Sequence, residues 1–197
     1  MEVPAYPLAE RDRRWALARK LMAAEDVDAL IAYGAHECAG EAGLAPDSYF
    51  SNDLPGSVVI FCGDADPVPL VTSNLPVQAH LKAARRGCPA WIGSADIRVG
   101  ADAAGIAEVL RERRLEHAAV GVLGPGTAAP WHPELVAGCP LWREVLARLP
   151  RVRLKPADRS LLFATVCLSL RAWPQRGGCR ARGEPGRHRR HRRGPPG

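Results

Sequence analysis

The chain has 197 residues, is 47% hydrophobic and carries +6 at neutral pH, which suits one domain with a true core; no apolar run approaches the ~20 residues a membrane helix requires. The charge is lopsided: residues 166–197 hold nine Arg against the single acid Glu184, or +8, so +6 overall leaves residues 1–165 at −2. A nucleic-acid role read from composition rests on the tail alone, and an enzymatic one on a mildly acidic body.

The first residues contain early acids and no apolar h-region, so they do not read as a signal peptide. Six cysteines (Cys38, Cys62, Cys88, Cys139, Cys167, Cys179) are scattered without a CxxC pair or a Cys/His cluster, the pattern of reduced thiols. Together these features lead us to expect a cytoplasmic protein with no membrane segment.

In chain order, the spacing predicts a helix over Leu8–Glu25, with Trp15, Ala18, Leu21 and Met22 on one face. A short apolar strand, Asp28–Tyr33, follows, and then a Gly/Ala-rich loop over His36–Pro46. Ser57–Cys62 and Pro67–Thr72 read as the arms of an antiparallel hairpin turning at 63–66. Pro67 and Pro69 cannot donate to a ladder, so the second arm is expected at a sheet edge.

Leu75–Arg86 is predicted helical with Asn74 as its N-cap and Pro76 in the first turn. Ala90–Gly93 is a brief strand, Asp102–Arg114 a helix, Ala118–Leu123 a buried strand, Pro140–Leu149 a helix and Val152–Leu154 a last short strand. Asp158 is placed to cap a final helix that runs into the tail. The alternation predicts a three-layer α/β domain over 1–165, with a mixed sheet that includes an antiparallel hairpin. Residues 166–197, rich in Arg, Gly, Pro and His, are expected to form a disordered basic tail.

Chemistry-bearing motifs are sparse. Gly124–Ala129 fits a GxGxxA pattern after a strand, but Pro130 and Pro133 interrupt the helix start that a dinucleotide site needs. It reads as a strand-exit loop. His36, His80, His117 and His132 stand apart, without the HxxEH or HxxxH spacing of a helical metal site. Asp64 and Asp66 fall in a turn, where Asp is favoured for backbone reasons. The segment Tyr49-Phe50-Ser51-Asn52 has more to offer: two adjacent aromatics in a turn-rich stretch suit a pocket or a subunit contact. The plainer expectation is one ring in the core and the other on the surface.

Taken together, the segments 10–34 (ERDRRWALARKLMAAEDVDALIAYG), 49–73 (YFSNDLPGSVVIFCGDADPVPLVTS), 120–126, 140–150 and 152–164 resemble the N-terminal domain of the creatinase/prolidase family, the pita-bread Xaa-Pro peptidases and their relatives. The likeness lies in a helix leading into a D-A-L-I strand and a Y-[FL]-[ST]-[GN] segment before a hairpin, and it spans roughly residues 8–165. It implies a creatinase N-terminal-like fold and a non-catalytic role in dimerisation and in shaping the substrate entrance. Tyr49, Phe50 and Asn52 are the positions that match the entrance segment.

The resemblance also implies that the chemistry belongs elsewhere. In family peptidases a second domain holds two metal ions with Asp, Asp, His, Glu and Glu, whereas creatinase itself uses no metal. This sequence offers no such domain, so no catalytic residue, metal ligand or cofactor is assigned, and any divalent metal belongs to that missing domain. Where the family crosses over through an R-x-V-K-S-x-x-E-like segment, this chain reads TVCLSLRAWPQRGG. The expectation is a domain truncated before its active site, partnered by a second copy in a homodimer or by the missing catalytic domain. The tail is then an out-of-frame translation of a GC-rich gene or a genuine Arg-rich extension. The alternative function is a small adaptor that binds nucleic acid non-specifically, and only weakly, through that tail.

Overall fold

A computed structural model describes residues 6–33, 46–123 and 139–157. The expected helix forms as α1 (Leu8–Glu25), burying Trp15, Ala18 and Met22 along one stripe. It ends where Asp26 turns left-handed, at φ 52°, and donates its amide to the Met22 carbonyl, a common way to satisfy a helix's last carbonyls. The chain passes directly into β1 (Ala29–Tyr33).

Residues 46–51, read from sequence partly as loop, form a short helix, α2 (Pro46–Ser51). The hairpin follows as β2 (Val58–Cys62) and β3 (Val68–Val71). Then come α3 (Asn74–Arg85), the two-residue β4 (Arg98–Val99), α4 (Ala103–Glu112), β5 (Ala119–Leu123), α5 (Pro140–Arg148) and β6 (Arg153–Pro156).

The six strands form one mixed sheet in the order β4-β3-β2-β1-β5-β6. β2 runs antiparallel to both β1 and β3, while β1–β5, β5–β6 and β3–β4 are parallel. It is therefore the one strand opposed to the other five. Side chains alternate across the sheet, as the period-2 geometry of strands requires. Ala29, Ile31, Val58, Ile60, Val120 and Val122 face one core, with α4 and α5 over it. Leu30, Ala32, Val59, Phe61, Ala119 and Leu123 face a second core beneath α1 and α2. Helices on both faces make three layers, as expected.

Three local expectations need correction. β3 is not an edge strand, because β4 pairs beyond it; however, β4 touches only Leu70 and Val71. The proline-bearing start of β3 thus keeps an uncovered side, which is what a missing N–H demands. The N-cap of α3 is Ser73, whose hydroxyl accepts from the Leu75 amide at 3.4 Å, rather than Asn74. Residues 90–93 form no strand. Trp91 and Ile92 are buried there, but their carbonyls bond to side chains: Arg11 Nη1 donates to Trp91 O at 3.5 Å, and His80 Nε2 lies 3.1 Å from Ile92 O. The glycine-containing loop 124–129, His36, His132, the helix expected after Asp158 and the basic tail lie outside the described residues.

Candidate functional site

The densest gathering of polar and aromatic side chains lies where α1, α2 with its following turn, and residues 91–92 meet over the second core. Its centre is the Tyr49–Asn52 segment. Both aromatics are buried, contrary to the expectation that one would sit on the surface. The Phe50 ring centre lies 4.9 Å from that of Phe61, with the planes tilted, and 5.3 Å from that of Tyr49, edge to face, and the Phe50 carbonyl accepts from Trp15 Nε1 at 3.1 Å. Asn52 takes a left-handed conformation, φ 67°, and is also nearly buried. Its side-chain oxygen accepts from the Tyr6 amide at 3.5 Å. The three residues carried over from the family resemblance are thus brought together, but they are packed inward rather than lining an open mouth.

The following turn is tied down from within. Asp47 Oδ2 accepts from the Gly56 amide at 2.7 Å, and Ser57 Oγ donates to Leu54 O at 2.7 Å. Asp53 reaches the other way, with Oδ2 lying 2.7 Å from Nδ1 of His80 on α3. His80 is only 2% exposed. One ring nitrogen faces a carboxylate and the other the Ile92 carbonyl, and both of these only accept hydrogen bonds. A neutral ring carries one N–H and would leave a lone pair against an oxygen, so the geometry favours the doubly protonated imidazolium. The Asp53 hydrogen bond accordingly raises the His80 pKa, against the opposing pull of burial.

A second polar knot surrounds Arg14, whose side chain is 13% exposed. Its guanidinium carbon lies 4.6 Å from the Tyr6 ring centre, 5.0 Å from Tyr49 and 5.2 Å from Trp91, within cation–π range of all three. Trp91 Nε1 donates to the Tyr6 carbonyl at 2.9 Å, closing the ring of contacts. Glu10 neutralises the arginines: Oε1 and Oε2 each accept from Arg13 at 2.7 Å, and Oε1 also accepts from Arg14 Nε at 2.8 Å. The bidentate Arg13 contact holds the Glu10 pKa below the usual carboxylate range. Burial raises the Tyr49 phenol pKa, partly offset by Arg14 and Arg13.

The arrangement clamps three segments together. Cys62, in β2 and facing the first core, has its thiol pKa raised by burial, which disfavours the reactive thiolate. Among the described residues, no group of three or more His, Cys, Asp and Glu gathers as a metal ion would require. They therefore do not fit the two-metal ligand set of the family resembled. Among the described residues no disulfide joins Cys62, Cys88 and Cys139 to one another, and no helix is long and apolar enough to cross a membrane. Asp64 and Asp66 are exposed in their turn, as expected, and His117 is also exposed.

Sequence reasoning missed His80, Asp53, Arg14 and Trp91. His80 and Asp53 lie 27 positions apart, and Trp91 and Tyr6 lie 85 apart, so no local spacing marks them. The nearest signal was a histidine on the same helix face as Val77, three residues before it. No protein-family model matches the chain, and no curated protein matches it.

Proposed function

We propose that this is a non-catalytic domain of the creatinase/Xaa-Pro peptidase type, acting in assembly and in shaping the approach to a catalytic domain. One observation carries the reading: the groups that a catalyst would keep available are engaged inside the fold. Both nitrogens of His80 face acceptors within the chain, and both oxygens of Glu10 are held by Arg13. The order of elements adds support, with a helix running into a DALI strand and a YFSN segment before an antiparallel hairpin. Tyr49, Phe50 and Asn52 act in this reading by setting a rigid turn rather than by touching substrate.

The test uses the purified full chain. It should hydrolyse neither Gly-Pro nor Ala-Pro dipeptides with added manganese, cobalt or zinc, because a two-metal site needs convergent carboxylates on rigid elements. It should self-associate in sedimentation velocity or bind a separately supplied catalytic domain of the family. Metal-dependent cleavage above a mock preparation would overturn the non-catalytic reading. A strictly monomeric chain that ignores the catalytic domain would overturn the assembly role.

A further inference from the structure

The body is slightly acidic in sum, yet its charges are not evenly spread. Residues 111–117 and 148–153 hold six arginines (Arg111, Arg113, Arg114, Arg148, Arg151 and Arg153) against two glutamates, Glu112 and Glu116. The fold brings the two stretches to one rim. Arg111 Nη2, at the end of α4, donates to the Arg148 carbonyl at the end of α5, 3.1 Å away. The Arg153 amide, at the start of β6, donates to Ala118 O just before β5, at 2.9 Å. All six arginines are exposed.

Part of this charge has a structural account. Cations favour helix C-termini, and Arg111 caps α5 in this way. Arg148 lies 3.4 Å from Glu144, and Glu112 is bound to Arg98 at 2.7 Å. That account leaves over Arg113, Arg114, Arg151 and Arg153, with which no carboxylate pairs among the described residues. Four like charges on one rim repel one another, and solvent, salt and the neighbouring Glu112 screen them only in part.

We propose that this rim is a binding surface for the phosphate backbone of nucleic acid, separate from the basic tail. Guanidinium groups match phosphate oxygens in paired hydrogen bonds, and backbone contacts from Arg need no base recognition. A protein partner would call for an apolar centre within the patch. Among the described residues, the exposed large apolar side chains, Leu8, Leu75 and Val99, all lie off these two stretches.

The experiment titrates the full chain with duplex DNA over a range of salt concentrations. It compares wild type with Arg113→Glu/Arg114→Glu/Arg151→Glu/Arg153→Glu and with the milder Gln version. Circular dichroism confirms that each variant folds. Losing up to four phosphate contacts should flatten the slope of log affinity against log salt by about three to four. The Gln set should show the same flattening should the Glu set misfold. Affinity and slope equal to wild type in a folded variant would overturn the proposal. In a parallel titration with poly-glutamate, a fall in that binding with DNA binding unchanged would overturn the proposal and reassign the rim to an acidic polypeptide.

Discussion

The two faces of the sheet are built on different physical principles. Under α4 and α5 the core is almost wholly apolar, with Ile31, Ile60, Val120, Ile106, Leu110, Val145 and the fully buried Trp142. Under α1 and α2 the apolar residues share space with Arg14, Asn52 and the His80–Asp53 pair. An apolar face is held by area and close packing and is indifferent to pH. A face built around a buried imidazolium depends on protonation. One domain therefore contains a face that only packing defects weaken and another that solution conditions also weaken.

The largest expected effect lies on the apolar face. Trp142→Ala should cost about 3–5 kcal/mol, as seen in urea unfolding, with the same loss at every pH where the chain folds. A loss that varied with pH would blur the contrast between the faces.

The next effect belongs to His80. Its folded pKa is raised above the unfolded value of about 6.5. The stability it contributes is therefore complete below the unfolded pKa and is lost as pH rises through the folded one. His80→Gln should lower stability by about 2–3 kcal/mol at low pH, less than a fully buried pair would lose, because the Asp53 side chain keeps 17% exposure. The gap between variant and wild type should close as pH rises, and a constant gap would mean that folding leaves the His80 pKa unshifted. Chemical unfolding at several pH values reads both.

Gly121 sharpens the comparison at closer range. A Cβ there would lie 2.7 Å from Leu30 Cδ2 and 3.1 Å from the Ala157 methyl. Gly121→Ala should therefore destabilise by about 1–2 kcal/mol through overpacking, and Leu30→Ala should relieve part of that strain in a double-mutant cycle. The smallest effect is at the start of α4, where Asp102 Oδ1 accepts from the Gly105 amide at 2.8 Å. Asp102→Ala should cost about 1 kcal/mol, and thermal melting is sensitive enough to detect it.

The apolar face was the more legible in the sequence, and the reason is physical. α4 and α5 announce themselves by apolar residues at i, i+3, i+4 and i+7, and β1, β2 and β5 by dense β-branched or small apolar runs. The polar face rests on long-range pairing that has no period. α2 has six residues, too few to show a helical repeat, and its Asp, Ser and Pro read as turn chemistry. Trp91 and Ile92 look like a strand because they are buried, but the partners of their carbonyls come from Arg11 and His80, far away in the chain. The two-residue β4 is too short to show alternation, so β3 was placed at the edge. The arginine rim was hidden by net charge, which averages over a surface that the fold has sorted.

β1 occupies the middle of the sheet, yet its two neighbours arrive at very different times. β2 follows within a short span, whereas Asp28 and Ala119, which join β1 to β5, are 91 residues apart. During synthesis the β1–β2–β3 meander can close early, while the β5 side of β1 waits. Until β5 arrives, the apolar strand Ala29–Tyr33 is an exposed edge with unpaired amides, the kind that recruits a neighbouring chain. The central strand of the finished protein is thus, between the synthesis of β1 and that of β5, an aggregation-prone border.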